Sequence, residues 1–304
     1  HVRELFKSQA LSCKVVVANT DLDGSWIAIM RRRQFSKFVE QLRYSYGDQD
    51  VILVFMALDD YLVGMLSQIY KLRNERWKFV LIKYRVEYLL ANRRRTFRGR
   101  VLNVMTRIVV AVTGGHLVGF DERLAGAQVG GSPFLPLPDP WVGEFTAQRR
   151  HLARRSHHFN EDSFVMLSVG RQDKRKGIDV IIAAARTLLL DNSHKLMVVG
   201  GVAAEYSDAL SSLCKDFPGQ VVHVDRFVDE TDLPDYFAVA DVFLMPYSIG
   251  FTASSGTLPR AAATAVPIVA SDHGLVGHRV RSHGLGETFP AGHVDQFVAA
   301  VNKV

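Results

Sequence analysis

Two segments carry residue types that suit an anionic group. Residues 170–177 place Arg171 and Lys176 between two glycines, after an apolar run and ahead of a helical pattern. Residues 250–257 offer hydroxyl groups, glycines and free N–H groups where a second helix is expected to start. Mobile backbone, cations and a helix N-terminus together favour a phosphate.

Each segment also has a simpler interpretation. Residues 170–177 are equally consistent with a solvated basic turn between a strand and a helix. Residues 250–257, taken alone, read as a capped helix start that binds nothing. The phosphate interpretation is favoured for the second segment only because the fold is expected to bring Arg171 and Lys176 near it.

Strands that alternate with helices must position these segments. In the second half of the chain, helical patterns separate the apolar runs 164–169, 195–199, 221–224, 241–246 and 266–272. In the first half, the corresponding runs are 14–18, 51–56, 77–84 and 107–112. Unbroken apolar strands between helices predict parallel sheets covered on both faces. Open sheets of this kind bind ligands beyond the carboxyl ends of their strands.

The chain is expected to divide into two units. A glycine- and proline-rich stretch at 130–140 interrupts the alternation, and the polar run 148–160 that follows predicts a linker. We therefore expect one domain over 1–157 and a second over 158–304. Helices are predicted in the first domain at 26–46 and at about 60–74 and 87–106. His116 is expected to follow the strand at 107–112.

Composition limits the classes of protein. With 304 residues, 48% hydrophobic and 22% charged, the chain is typical of a globular protein, and no apolar stretch is long enough to cross a membrane. Cys13 and Cys214 lie far apart, which predicts a reduced, cytoplasmic protein without a disulfide framework or zinc site. Residues 1–150 carry nine surplus positive charges and residues 151–304 three surplus negative ones. The basic half predicts an acidic partner.

Four ordered motifs resemble the donor-site signature of GT-B glycosyltransferases of family 4. They lie at residues 169–179, 196–205, 240–246 and 265–277. The resemblance implies an α/β protein of the GT-B class, with two Rossmann-like domains facing across a cleft. It further implies that the second domain binds a nucleotide-sugar donor, either a UDP-sugar or a GDP-sugar, and that the first binds an acceptor.

The resemblance assigns roles to individual residues. Arg171 and Lys176 match the cations that hold the donor diphosphate. Arg226 and Phe227 occupy the place of the nucleotide base. The loop that cradles the sugar and phosphates corresponds to Thr252, Ser254, Ser255, Gly256 and Thr257. No cofactor and no metal ion are implied, and the Asp-x-Asp letters at 21–23 lie in the first unit, away from the donor site.

This chain departs from the family pattern at its carboxylates. The family carries two glutamates eight positions apart, where this chain has Thr252 and Arg260. Arg260 would serve as a third phosphate cation or face solvent. The family's histidine after a first-domain strand is also missing, which leaves the catalytic residue unassigned. Asp59 is a weak candidate, with a helix cap as the alternative, and His116 comes too late in the chain.

The expected function is transfer of a sugar from the nucleotide-sugar to an acceptor, with retention of configuration and without a metal. The alternative is a non-catalytic protein that binds sugar nucleotides or partners an active transferase, which the missing glutamates favour. The chain starts with His1, and the resemblance implies that the first domain lacks its opening strand.

The basic half predicts peripheral contact with an anionic membrane at its inner face. A lipid-linked acceptor and a role in polysaccharide or glycolipid biosynthesis would follow. Leu89 and Leu90, set among arginines, suggest an amphipathic face, although the basic residues are also consistent with solvated surfaces. Nucleic acid is not expected as a partner, because no recognition motif or stacking platform is visible.

Overall fold

The computed structural model describes residues 28–90, 96–138 and 147–304. The chain forms two parallel sheets in succession, each packed against helices. The strand expected at 14–18, Cys13 and the Asp-x-Asp letters at 21–23 lie outside the described residues, as do the arginines at 93–95. Across the described ranges, no helix is long and apolar enough to span a bilayer.

The first unit is a four-stranded sheet with its helices. Its strands are β1 (Val51–Phe55), β2 (Trp77–Lys83), β3 (His116–Gly119), β4 (Gln128–Val129), β5 (Ser132–Pro133) and β6 (Leu135–Pro136). The sheet has the order β1-β2-β3-β6 with every pair parallel, and β4 and β5 form a separate hairpin. Its helices are α1 (Ala28–Tyr46), α2 (Leu58–Ser67), α3 (Ile69–Leu72) and α4 (Phe97–Thr113).

The second unit is a six-stranded parallel sheet. Its strands are β7 (Phe164–Val169), β8 (His194–Val199), β9 (Val221–Val224), β10 (Val242–Met245), β11 (Ile268–Ser271) and β12 (Gly286–Phe289). Its helices are α5 (Ala147–Ser156), α6 (Ile178–Leu188), α7 (Ala204–Asp216), α8 (Leu233–Val239), α9 (Thr257–Ala263), α10 (Gly274–Ser282) and α11 (Val294–Val301).

Strand β7 shows why these strands read as unbroken apolar runs. Val165 and Leu167 point into the core on one face of the sheet, whereas Met166 points into the core on the other. Because helices cover both faces, neither set of alternating side chains can be polar.

The strand order of the second sheet is β12-β11-β10-β7-β8-β9. The chain therefore runs outward from β7 in one direction and then returns to β10, on the other side of β7. In open α/β sheets this reversal point opens a crevice at the carboxyl ends of the two central strands. The expected Rossmann-like arrangement is confirmed, and the crevice lies beyond Val169 and Met245.

The strand expected at 107–112 is wrong, because these residues form the last turns of α4. Their run of β-branched residues favours a strand by propensity alone. Burial instead follows helical spacing, with Thr106, Val109 and Val110 facing the core. The Thr96 hydroxyl caps the helix by accepting from the Gly99 N–H at 3.1 Å, and the left-handed Gly114 ends it.

Three further expectations for the first unit are corrected. His116 begins β3 rather than following a strand. The helix expected at 60–74 breaks at Gln68 into α2 and α3. At residues 87–106, only a short 3-10 turn (Glu87–Leu89) and the start of α4 are helical among the described residues.

The linker expected at 148–160 is mostly the helix α5, which packs on the second unit. Arg154 on this helix is fully buried, and its guanidinium donates to the Asp241 carboxylate and to three backbone carbonyls. Arg150 donates to the other oxygen of the same carboxylate. From the sequence alone, a polar run with this many arginines indicates a solvated segment. Its burial could not be predicted, because the acceptor Asp241 lies 87 residues from Arg154 in the chain. The division at 157 and 158 stays a prediction.

The two units touch through a pair of arginines. Arg279 on α10 donates to the Glu122 carboxylate at 2.8 Å and to the Phe120 carbonyl at 2.6 Å. In the reverse direction, Arg123 donates to the Gly274 carbonyl at 3.2 Å while it is held by Asp121. These bonds join α10 to the segment that follows β3.

Candidate functional site

The crevice between β7 and β10 is where residues 170–177 lie. Gly170 and Gly177 both have positive φ, 112° and 78°. A Cβ added to Gly177 would lie 1.9 Å from the Pro246 carbonyl oxygen, so no other residue fits. The segment is therefore pressed against the residues that follow β10.

Lys176 reaches across the crevice to Tyr247. Its ammonium donates to the Tyr247 hydroxyl at 2.6 Å and lies 4.6 Å from the centre of the same ring. Tyr247 follows β10 closely and is 3% exposed. Lys176 is half-buried, so its charge is held at the mouth of the crevice by a fixed aromatic side chain.

The loop at 252–257 continues the same hydrogen-bonded network. The Tyr247 hydroxyl lies 2.9 Å from the Ser255 hydroxyl, which lies 3.0 Å from that of Thr257. The Thr252 carbonyl accepts from the Leu275 N–H at 3.2 Å. Lys176 and the hydroxyls of Ser255 and Thr257 therefore meet through one tyrosine, as the sequence predicted for Lys176 and this loop.

Helix α9 contributes less than its sequence indicated. It has only seven residues, and no side chain caps its start. Gly256 precedes it and is exposed, whereas Ser254 is half-buried. The chemistry of this side of the crevice therefore lies in the hydroxyl groups of the loop rather than in a helix dipole.

Arg171 stands at the open side of the crevice. Its side chain is 74% exposed, and its guanidinium is 4.0 Å from the Asp173 carboxylate. The Asp173 carboxylate already accepts a hydrogen bond from the backbone N–H of Lys176 at 3.0 Å. Arg171 thus keeps conformational freedom that Lys176 lacks.

Arg226 and Phe227 follow β9, two strands from β7. Phe227 is 85% exposed, and Arg226 donates to the Tyr236 hydroxyl at 3.3 Å. The loop they occupy is tied to the crevice by Arg260, which pairs with Glu230 and donates to the Gly256 carbonyl. An exposed ring and a cation therefore border the site.

Arg260 and Thr252, which stand where the family has glutamates, have defined surroundings in the structure. Arg260 does not face solvent, since its side chain is only 15% exposed and engages Glu230. Thr252 borders the crevice and is half-buried. Asp59 lies in the first turn of α2, whose N-cap is Ala57, so the cap proposed for Asp59 is wrong. The Asp59 side chain lies outside what the structure describes.

Tyr247 and His273 were not predicted from the sequence, and Phe251 lies in the predicted segment 250–257 without a role of its own. Tyr247 and Phe251 pack edge to face with centroids 4.6 Å apart, and the Arg175 guanidinium lies 5.3 Å from the Phe251 ring. His273 follows β11, and one ring nitrogen lies 2.8 Å from the Ser248 carbonyl. Only their positions in the sequence could have indicated them, because each follows a strand that ends at this edge of the sheet.

Leu89 does not provide the amphipathic face suggested for it. Tyr88 and Leu89 are buried in the core of the first unit, and Leu90 is half-buried. In the part of the chain that the structure describes, no group of three His, Cys, Asp or Glu side chains could hold a metal ion.

The sequence comparisons with known proteins match the second unit. The family model described as glycosyl transferases group 1 matches residues 149–304, just over half of the chain. A D-inositol 3-phosphate glycosyltransferase from Catenulispora acidiphila is 31% identical over 156 residues. This alignment covers 47% of the chain and 36% of the relative, so it spans about a third of that protein.

Solved structures extend the likeness to both units. HepE from Anabaena in complex with UDP superposes with a TM-score of 0.63 at 14% identity, over 89% of this chain and 72% of HepE. Sucrose-phosphate synthase from Thermosynechococcus elongatus gives 0.64 at 19% identity, over 92% of this chain and 71% of that chain. At such identity these structures establish the shared GT-B fold. Together with the family match over α5 to α11, they show that the chain belongs to the group 1 glycosyltransferases.

Proposed function

We propose that the chain transfers a sugar from a nucleotide-sugar donor to an acceptor, with the donor diphosphate held in the crevice between β7 and β10. The contact that carries this proposal is the one from Lys176 to Tyr247, which joins a cation to the hydroxyls of Ser255 and Thr257. The UDP bound in the HepE structure supports a nucleoside diphosphate.

The residues of the crevice suit the charge that develops in such a reaction. When the bond from the sugar to the diphosphate breaks, negative charge grows on the departing phosphate oxygens. A cation fixed before the reaction stabilises that charge without reorganisation. Lys176 is fixed in this way by Tyr247, whereas the exposed Arg171 can close on the diphosphate after it binds.

The base and the sugar would contact the two flanking segments. Phe227 offers an exposed ring, and Arg226 a cation, at the end of β9. On the loop, Thr252 and Ser254 would contact the transferred sugar. Because no carboxylate occupies the Thr252 or Arg260 positions, the catalytic residue stays unassigned. Retention and metal independence stay predictions from the resemblance.

The acceptor and the membrane partner also belong to this proposal. The basic first unit suits an anionic surface and a lipid-linked acceptor. The surface that would make such a contact is identified below. A non-catalytic protein that only binds sugar nucleotides would show donor affinity without transfer or hydrolysis over a panel of nucleotide-sugars.

Binding of UDP, measured by calorimetry, tests the donor site. We expect Arg171→Ala and Lys176→Ala each to weaken binding by roughly 10- to 100-fold, because a hydrogen bond to a charged group contributes about 1.5–3 kcal/mol. Lys195→Ala is the matched control, since its ammonium lies at the opposite end of β8 and donates to Asn192. Unchanged UDP affinity in both crevice variants would remove the assignment.

A further inference from the structure

Helix α4 presents an apolar stripe on the side opposite its core-facing side. Five large apolar side chains on this helix are exposed: Phe97, Val101, Val104, Ile108 and Val112. They recur at intervals of three and four residues, so they form one continuous row along the helix. Phe97 is 84% exposed and Val104 56%. A solvated helix normally places polar residues there.

Arginines border this stripe, and α4 itself carries no carboxylate. Arg98 lies along one edge of the row, and Arg100 and Arg107 lie along the other, all three exposed. The sequence of α4 contains no Asp or Glu, and three further arginines precede it at 93–95. The surface is therefore apolar along its centre and positively charged at both edges.

The combination selects among possible partners. A nucleic acid would use the arginines but would not favour the exposed phenylalanine and valines between them. A second copy of the chain would cover the apolar row but would bring like charges together at its edges. An anionic lipid surface satisfies both features, since acyl chains take the apolar row and headgroups take the arginines.

We propose that α4 lies in the interface of an anionic membrane, with the stripe from Phe97 to Val112 facing the acyl chains. This inference deepens the proposed function. The membrane contact itself is argued from α4, and only the lipid-linked acceptor rests on the proposed transferase activity. It replaces Leu89 and Leu90 as the amphipathic face, because those side chains are directed into the first unit.

Co-sedimentation of the full chain with lipid vesicles tests the proposal. We expect binding to vesicles of mixed phosphatidylglycerol and phosphatidylcholine, and little binding to phosphatidylcholine alone. The double variant Val104→Ser and Ile108→Ser should lose about tenfold in vesicle affinity, because membrane binding scales with buried apolar area. Arg98→Gln with Arg100→Gln should weaken the preference for the anionic vesicles.

Leu190→Ser is the control, since this leucine is 77% exposed on the second unit, away from α4. Unchanged thermal melting of the stripe variant shows that its loss is not unfolding. Three results would each overturn the proposal: equal binding of wild type to both vesicles, full vesicle binding by the stripe variant, or a wild-type dimer that the stripe variant converts to monomer.

Measuring UDP binding in the same samples separates this proposal from the donor site. Loss of vesicle binding with normal UDP affinity in the stripe variant supports the α4 surface. Absence of UDP binding by a wild type that still binds anionic vesicles would defeat the donor proposal alone.

Discussion

At the scale of single residues, Lys176 depends on Tyr247. The phenol accepts the ammonium hydrogen bond and also contacts Ser255, so it sets the position of the charge and of the loop together. Groups that share one network do not act additively. Tyr247 is therefore a positioning residue for Lys176 in the proposed site.

Tyr247→Phe tests this dependence. Losing the hydroxyl should weaken UDP binding by about fivefold, because one hydrogen bond contributes about 1 kcal/mol. In combination with Lys176→Ala, it should add much less than fivefold, since the hydroxyl acts through the lysine. Calorimetry on the two single variants and the double variant measures this, with Tyr44→Phe, 94% exposed in the first unit, as the control. A fully additive double variant would show that Tyr247 acts independently.

Sequence reasoning reached Lys176 and Arg171 but not Tyr247. The two cations stand out locally, because glycines flank them and a helix follows. Tyr247 is one aromatic residue after one strand, and its role exists only because β10 lies beside β7. Arg260 shows the same limit, since its partner Glu230 lies 30 positions earlier in the chain.

At the scale of elements, the Asp241 carboxylate holds α5 on the second unit, beside a second ion pair between Arg149 and Asp235. Asp241 accepts from Arg150 and Arg154 and also from the Val165 N–H at 2.7 Å. The same side chain thus joins α5, the start of β7 and the start of β10.

Arg154→Ala should destabilise the fold by about 3 kcal/mol, because it removes one partner of a buried ion pair together with three hydrogen bonds to backbone carbonyls. Denaturant unfolding followed by circular dichroism measures the loss. Arg155→Ala, one position along the same helix but exposed, should change the free energy of unfolding by less than about 0.5 kcal/mol. Equal effects of the two variants would contradict the role given to Arg154.

Periodicity predicted the strands of the second unit better than those of the first. Runs such as 164–169 are short, apolar and bounded by polar residues, so strand and helix are easily separated. Residues 107–112 are equally apolar, but they continue a helix whose outer face is apolar as well. That unusual face removes the polar positions by which a helix is recognised. Strand β12 was not predicted, because the segment Gly286–Phe289 has no apolar run.

At the scale of the whole molecule, we expect the contact between the units to weaken in acid. Burial is the largest single influence on the pKa of Glu122 and would raise it. The hydrogen bonds from Arg279, a backbone hydrogen bond and the charge of Arg279 together outweigh burial and hold this pKa below its ordinary value of 4.5. A carboxyl with a lowered pKa stabilises the folded state above the unfolded value, and this stabilisation is lost as the pH falls through the folded one.

Glu122→Gln should therefore lower the free energy of unfolding at neutral pH, by less than about 1 kcal/mol, since Glu122 is partly exposed. The difference from wild type should stay constant down to about pH 4.5 and shrink below it. Unfolding curves recorded between neutral pH and pH 3.5 provide the measurement. A difference that persists at the acid end would mean that the Glu122 charge does not stabilise the contact.

The architecture of the molecule followed from the sequence to the level of two α/β units. The relation between the units did not, because Arg279 and Glu122 are ordinary charged residues 157 positions apart. Nothing local marks either one as part of an interface.

The neighbouring positions of β7 and β10 also constrain when the crevice can form. Lys176 and Tyr247 are 71 residues apart, and β8, α7, β9 and α8 lie between them in the chain. During synthesis, Lys176 leaves the ribosome well before Tyr247. The contact between them therefore cannot form until β10 has paired with β7. Contacts of such separation form late and slowly. A nucleotide can therefore stabilise only the finished second unit and cannot assist the earlier steps of its folding.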